Sequence, residues 1–158
     1  MCAAESGTAA RLPREAWFAV VRDAPLVSID LIVRDAQNRV LLGWRTNEPA
    51  RDCWFVPGGA IHKSESLDAA FARITRTELG IEQARRTARL IGVYEHFYNT
   101  NFAGAEGVGT HYVVLAHALQ FDGQLAPADA QHSSFRWFSA EQALGDPQVH
   151  RYTKAYLV

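Results

Sequence analysis

The chain is short of cysteine, of net charge and of long apolar runs. Its only cysteines are Cys2 and Cys53, which argues against a disulfide framework and for a reducing, cytoplasmic setting. A formal net charge of −1 gives no electrostatic case for a nucleic-acid or membrane partner. No run is long enough to span a bilayer. The opening "MCAAESGTAA" has no basic segment followed by an apolar one, so it does not read as a signal peptide. Residues 1–11 are expected to form a disordered tail. Internal repeats and a dividing linker are also missing. What remains is ordinary globular material, 48% hydrophobic and 21% charged over 158 residues. That supports one domain, residues 12–158, with a sizeable core.

Periodicity and breakers predict the element order. A helix is expected over 12–23, with Pro13 at a tolerated early position. Strands follow at 26–33 and 39–44, separated by the turn "DAQN". A short strand at 53–57 stops at proline, a Gly-Gly turn follows, and a helix runs over 66–79. Leu67, Ala70, Phe71 and Ile74 share one face of that helix, and Gly80 caps its end. Strands at 89–98 and 110–121 flank a flexible loop over 99–109. A second loop covers 122–133, and an edge strand 134–138. Ser139 and Gln142 mark a capping box for a helix at 139–144, and the last helix is placed over 148–158. Mixed strands with a few helices give an α+β fold, a mixed sheet between helices in an α/β/α arrangement.

The stretch "PGGAIHKSESLDAAFARITRTELG", residues 57–80, carries the chemistry. Glycines allow backbone groups to approach a metal or phosphate closely. The helix after them presents acids to a hard divalent cation, which takes oxygen ligands. The spacing of Gly59, Glu65, Arg73, Glu78, Gly80 and Ile81 resembles the Nudix box, GX5EX7REUXEEXGU. Two of its acids are replaced: Ile74 stands after the arginine and Thr77 stands before Glu78. Attack at the phosphorus of a diphosphate ordinarily recruits several metals and carboxylates. One helical carboxylate fits one metal better, enough to neutralise a leaving diphosphate.

From about residue 15 the chain resembles the GDP-mannose mannosyl hydrolase branch of the Nudix hydrolases, which cuts the sugar C1–O bond. The segments that carry this are "PLVSIDLIV", "LLGWRTNEPA", "WFVPGG", "YEHFY", "THYVVL" and "DAQHSSFRWF". The resemblance implies one Mg²⁺ per site, with Mn²⁺ as a substitute, held by the Gly58 carbonyl, Glu78 and Gln131. It implies His132 as the general base that drives water onto C1. Arg45, Arg73 and Tyr112 would stabilise the departing GDP. Asp30 would steady positive character at C1, and His96 would touch the sugar. It also suggests a homodimer. Aromatics of the 89–112 region, with Trp17 or Phe18, are candidates to stack on guanine.

Each residue also has a plainer role open to it. Glu78 could be a solvated acid, Gly58 a tight turn and Gln131 a loop amide. His132 could be an exposed loop histidine and Arg73 an ion pair with Glu65 or Asp68. Arg45 could be a strand-end charge, Tyr112 a half-buried strand tyrosine, Asp30 a buried ion pair and His96 a structural histidine. His62, His111, His117 and His150 read as structural. The branch commonly has arginine directly after "PGG", where this chain has Ala60. Arg51, in the neighbouring loop, is a candidate to replace it, and whether it compensates stays open. The expected reaction is inverting hydrolysis of a GDP-hexose, with water attacking an oxocarbenium-like C1. Two alternatives stay open: a Nudix pyrophosphatase cutting P–O–P, and a nucleotide-sugar binding protein without turnover.

Overall fold

The computed structural model describes residues 12–121, Gly123 and 132–158, with only the backbone of 132 and 133. The chain runs α1 (Arg14–Asp23), β1 (Leu26–Arg34), β2 (Val40–Arg45), β3 (Trp54–Phe55), β4 (Gly58–Ala60) and α2 (Leu67–Leu79). A single 3-10 turn (Arg85–Thr87) leads into β5 (Arg89–Tyr98) and β6 (Thr110–Gln120). Then come β7 (His132–Phe138), α3 (Ala140–Gly145) and α4 (Arg151–Ala155). The sheet order is β3-β2-β1-β6-β5, with β4 paired to β1 and β7 to β2. β1 and β6 are parallel, and the other named pairs are antiparallel.

β1 divides the core because successive side chains of a strand leave on opposite faces. Ile29, Leu31 and Val33 join Leu41 under Ala70, Phe71, Ile74 and Leu79 of α2. Ile32 goes the other way, to Val40, Leu42, Phe55, Phe138, Ala143 and Tyr156. Helices thus cover both faces, as the α/β/α expectation has it. α2 begins where Ser66 accepts from the Ala69 amide at 3.2 Å and ends at Gly80, in the left-handed region at φ 78. At α3 the Ser139–Gln142 capping box forms in both directions.

Four expectations need correction. Residues 58–60 form a strand and not a turn. Neither Gly58 nor Gly59 has positive φ, so they are needed for close approach and not for a bend. A Cβ on Gly58 would lie 2.6 Å from the Ile29 carbonyl oxygen and 2.7 Å from Asp30 Oδ1, and one on Gly59 would lie 3.2 Å from Ile74 Cγ1. Second, β7 begins at His132, in register with Arg45, and so His132 is a strand residue in its backbone.

Third, the 99–109 loop is wound around one side chain. Asn101 Nδ2 donates to the carbonyls of Ala105 (2.8 Å) and Val108 (2.7 Å), and its Oδ1 accepts from the amides of Ala103 and Ala105. Fourth, the last helix spans only Arg151–Ala155, because Val149 is engaged in a parallel bridge to Trp54. The tail over 1–11 and most of the second loop lie outside the described residues.

Candidate active site

Four of the expected residues meet on the face of the sheet opposite α2. Asp30 is central and only 7% exposed. Its Oδ2 accepts the Tyr156 hydroxyl at 2.7 Å, while Oδ1 lies toward Gly58. The Tyr156 oxygen is also 3.0 Å from His96 Nε2. A phenol has one proton, and with it on Asp30 the imidazole must donate from Nε2. His96 is 3% exposed and lies flat on Tyr152, with ring centroids 4.0 Å apart and planes 10° apart.

Electrostatics tie Arg45 and Tyr112 to the same group. Burial pushes the Asp30 carboxyl up to about 7, against the Tyr156 hydrogen bond and the Arg45 charge, which both pull it down. Burial likewise raises the Tyr112 phenol, again opposed by Arg45. Arg45 comes from the end of β2 and donates from Nη2 to the Pro49 carbonyl at 3.2 Å. Tyr112 faces Tyr98 edge-on at 6.2 Å. Burial pushes His96 and His150 down to about 4, so both are neutral near pH 7. The cluster therefore sets one carboxyl and the Arg45 charge among buried aromatic rings.

Arg73 is committed to the loop before α2. Its Nε and Nη2 grip Glu65 Oε1 and Oε2 at 2.7 and 2.8 Å, and Nη2 also donates to the Ala60 carbonyl at 2.8 Å. Glu65 accepts in addition from the His62 amide at 2.9 Å. The Arg73 guanidinium holds the Glu65 carboxyl below the usual carboxylate range. Of the roles open to Arg73, this geometry is that of an orienting clip. Asp68 pairs elsewhere, with Arg85 at 2.6 Å. Arg51 is exposed and 3.5 Å from Asp52.

For the divalent cation expected from the sequence, the donors are few and hard. Glu78 lies one helical turn beyond Ile74 on the buried side of α2, itself 2% exposed. Ile74, where the motif would have an acid, is packed against Gly59. Among the described residues no group of three or more His, Cys, Asp or Glu side chains could hold a metal. Glu78 and the Gly58 carbonyl each offer oxygen, the donor type that a hard divalent cation takes. Gln131 lies outside the described residues, as does the side chain of His132.

Sequence reasoning missed Tyr156, which touches Asp30 and His96, while His150, read as structural, has a structural role. His150 caps α4, accepting the Tyr152 amide at its Nδ1 at 3.2 Å, and packs on Tyr98 and Phe55. The available signals were a carboxylate inside an apolar strand, which needs a donor, and Tyr152 and Tyr156 spaced to share one helical face. Trp17 and Phe18, considered for guanine, pack on Phe102. His117 packs on Phe71, and His111 stacks on Phe97.

Known proteins share this architecture. The family model described as NUDIX domain matches residues 24–157. The low-salt glycan biosynthesis protein Agl8 of Haloferax volcanii is 40% identical over 146 residues, covering 92% of this chain and 90% of its own length. The MutT NUDIX hydrolase from Burkholderia pseudomallei superposes with a TM-score of 0.66 at 26% identity, over 85% of this chain and 97% of that one. The MutT protein from Methanosarcina mazei Go1 reaches a TM-score of 0.68 at 19% identity, over 85% and 92% of the two chains, a likeness of fold alone. A matched family model over most of the chain, joined to the box helix and its glycine strand, establishes that this chain belongs to the NUDIX domain family of hydrolases.

Proposed function

We propose that this chain hydrolyses a GDP-hexose, GDP-mannose or GDP-glucose, at the sugar C1–O bond with inversion, releasing GDP and free sugar. One observation carries the reading. The box helix has Ile74 built into the core where an acid for phosphorus chemistry would stand, while a buried carboxyl, Asp30, sits with Arg45 and Tyr112 on the other face. Attack at carbon needs a group that steadies positive charge and donors that take up negative charge on the leaving diphosphate. It does not need several metal-bound carboxylates. The Agl8 relative is named for glycan biosynthesis, and nucleotide sugars are the usual donors in that chemistry.

In this mechanism Gly58, Glu78 and Gln131 hold one Mg²⁺, with Mn²⁺ as a substitute. When bound, the cation neutralises charge on the diphosphate. Arg45 and Tyr112 bind the same phosphates and hold them as the C–O bond breaks. Asp30 faces the anomeric carbon, and His96 supports the sugar side through Tyr156. Arg73 keeps Glu65 and the Ala60 carbonyl in place, which fixes the glycine strand. His132 takes the proton from the attacking water; the register of its backbone with Arg45 supports a place beside the leaving group. GDP is a good leaving group, so no strong general acid is required. The half-buried thiol Cys53 fits a cytoplasmic enzyme, and we take the working unit to be a homodimer.

Incubation with GDP-mannose and GDP-glucose in millimolar Mg²⁺, followed by proton NMR, tests this. The reading expects GDP and free hexose, with the β anomer appearing first from an α-linked substrate. GMP with hexose 1-phosphate would make the chain a pyrophosphatase. Tight binding without turnover would make it a binding protein.

A further inference from the structure

We propose that Tyr156, at the end of the C-terminal helix, is a positioning residue that fixes the plane of the Asp30 carboxylate and so turns one oxygen to the substrate. The inference rests on the C1–O reading above. An unheld carboxylate turns readily about its last torsion, so its plane and the direction of its lone pairs are not fixed. Here the Tyr156 hydroxyl holds Oδ2 at 2.7 Å, and Oδ1 is turned to the side where Gly58 has no side chain. Oδ1 is then the oxygen left to meet developing charge.

The hydroxyl is itself held. His96 Nε2 is 3.0 Å away, and the Tyr156 ring stands perpendicular to Tyr94, with centroids 4.8 Å apart and planes at 89°. Behind it, α4 is pinned twice. Thr153 Oγ1 accepts from the Val56 amide at 3.3 Å. The Tyr152 hydroxyl accepts from the Phe97 amide at 2.7 Å and donates to the Phe97 carbonyl at 3.0 Å. The last helix thus carries one reactive-site hydroxyl into contact with a carboxylate 126 positions earlier.

Tyr156→Phe keeps the ring and its packing and removes only the hydroxyl. Loss of orientation at the reacting carbon is expected to lower kcat about 10- to 100-fold. KM for the GDP-hexose and inhibition by GDP should stay within about twofold, because the diphosphate contacts are untouched. His96→Leu should show the same split, and His96→Gln, whose amide keeps a donor, should recover most of kcat. In an Asp30→Asn background Tyr156→Phe should add no further loss. The inference is overturned if Tyr156→Phe leaves kcat unchanged. It is equally overturned if kcat and GDP affinity fall together with Tm, or if the Asp30 and Tyr156 effects simply add. Should Tyr156→Phe fail to fold, the His96→Leu and His96→Gln pair decides alone. C–O cleavage with an indifferent Tyr156 sinks only this inference. Cleavage at phosphorus, or no turnover by the wild type, sinks the functional reading and this inference with it.

Discussion

A methyl group at position 58 would meet the Ile29 carbonyl at 2.6 Å and Asp30 Oδ1 at 2.7 Å. Both distances are far inside contact, and one neighbour is backbone. Gly58→Ala should therefore displace Asp30 and the glycine strand together. The expected result is loss of about 1–3 kcal/mol in denaturant unfolding with near-complete loss of turnover. Arg73 is the second residue whose geometry dictates an outcome. Arg73→Lys keeps the charge but cannot grip both Glu65 oxygens and the Ala60 carbonyl at once. A drop of about 1–3 kcal/mol is expected, with kcat/KM falling alongside, since the residue acts by holding the loop. A stable Arg73→Lys protein with unaltered kinetics would remove the clip from the account. At this scale the sequence was half legible. The box spacing identifies Arg73 and Glu65 as neighbours across eight positions, since a strand-to-helix connection brings them together. Tyr156 is announced locally only by its spacing from Tyr152, because its partners are 126 and 60 positions away.

Among the elements, α4 holds the most testable chemistry. Its cap is the neutral Nδ1 of His150, and His96 lies under Tyr152. Burial pushes both imidazoles down to about 4. Unfolded, each takes up its proton near 6.5. Between those values the unfolded chain binds more protons, so their contribution is whole above about 6.5 and is lost as the pH falls toward 4. Asp30 has the opposite sign. Burial holds it up to about 7, so the folded chain keeps a proton that the unfolded chain sheds near 4, and this weakens folding as pH rises from about 4 to 7. Two histidines outweigh one carboxyl. Tm should rise from pH 4 to 6.5, and His150→Asn, which can still cap α4, should flatten that rise. A wild-type Tm that is flat or falling across the interval would contradict this balance. α1, which no side chain caps, was legible from its apolar periodicity, and α2 and α3 from their caps as well. β4 was not, since Gly-Gly has no strand propensity and becomes a strand only by pairing with β1. The start of β7 was hidden for a related reason: pairing with Arg45, not composition, makes His132 a strand residue.

For the whole molecule, the sheet divides the core. Ala70, Phe71, Ile74 and Leu79 of α2 pack on one face, and Tyr156, which holds Asp30, packs on the other. The Gly58–Gly59 backbone touches both, Gly58 at Asp30 and Gly59 at Ile74. The α/β/α architecture could be read from the alternation of β1 and the face of α2, because burial on two sides leaves a pattern in each. The meeting of Asp30, His96 and Tyr156 could not, because it joins residues 126 and 60 positions apart. This arrangement explains why acids cannot simply be returned to the box. Ile74→Glu puts a charge in a packed core against Gly59 and should cost about 3–5 kcal/mol, seen as a lowered denaturation midpoint. Thr77→Glu, at a half-buried site, should be tolerated without a change of products. The central claim is that water attacks carbon and not phosphorus. Hydrolysis of GDP-mannose in ¹⁸O-labelled water, with mass analysis of both products, decides it: the account predicts label in the free sugar and none in GDP, and label in a phosphate would contradict it.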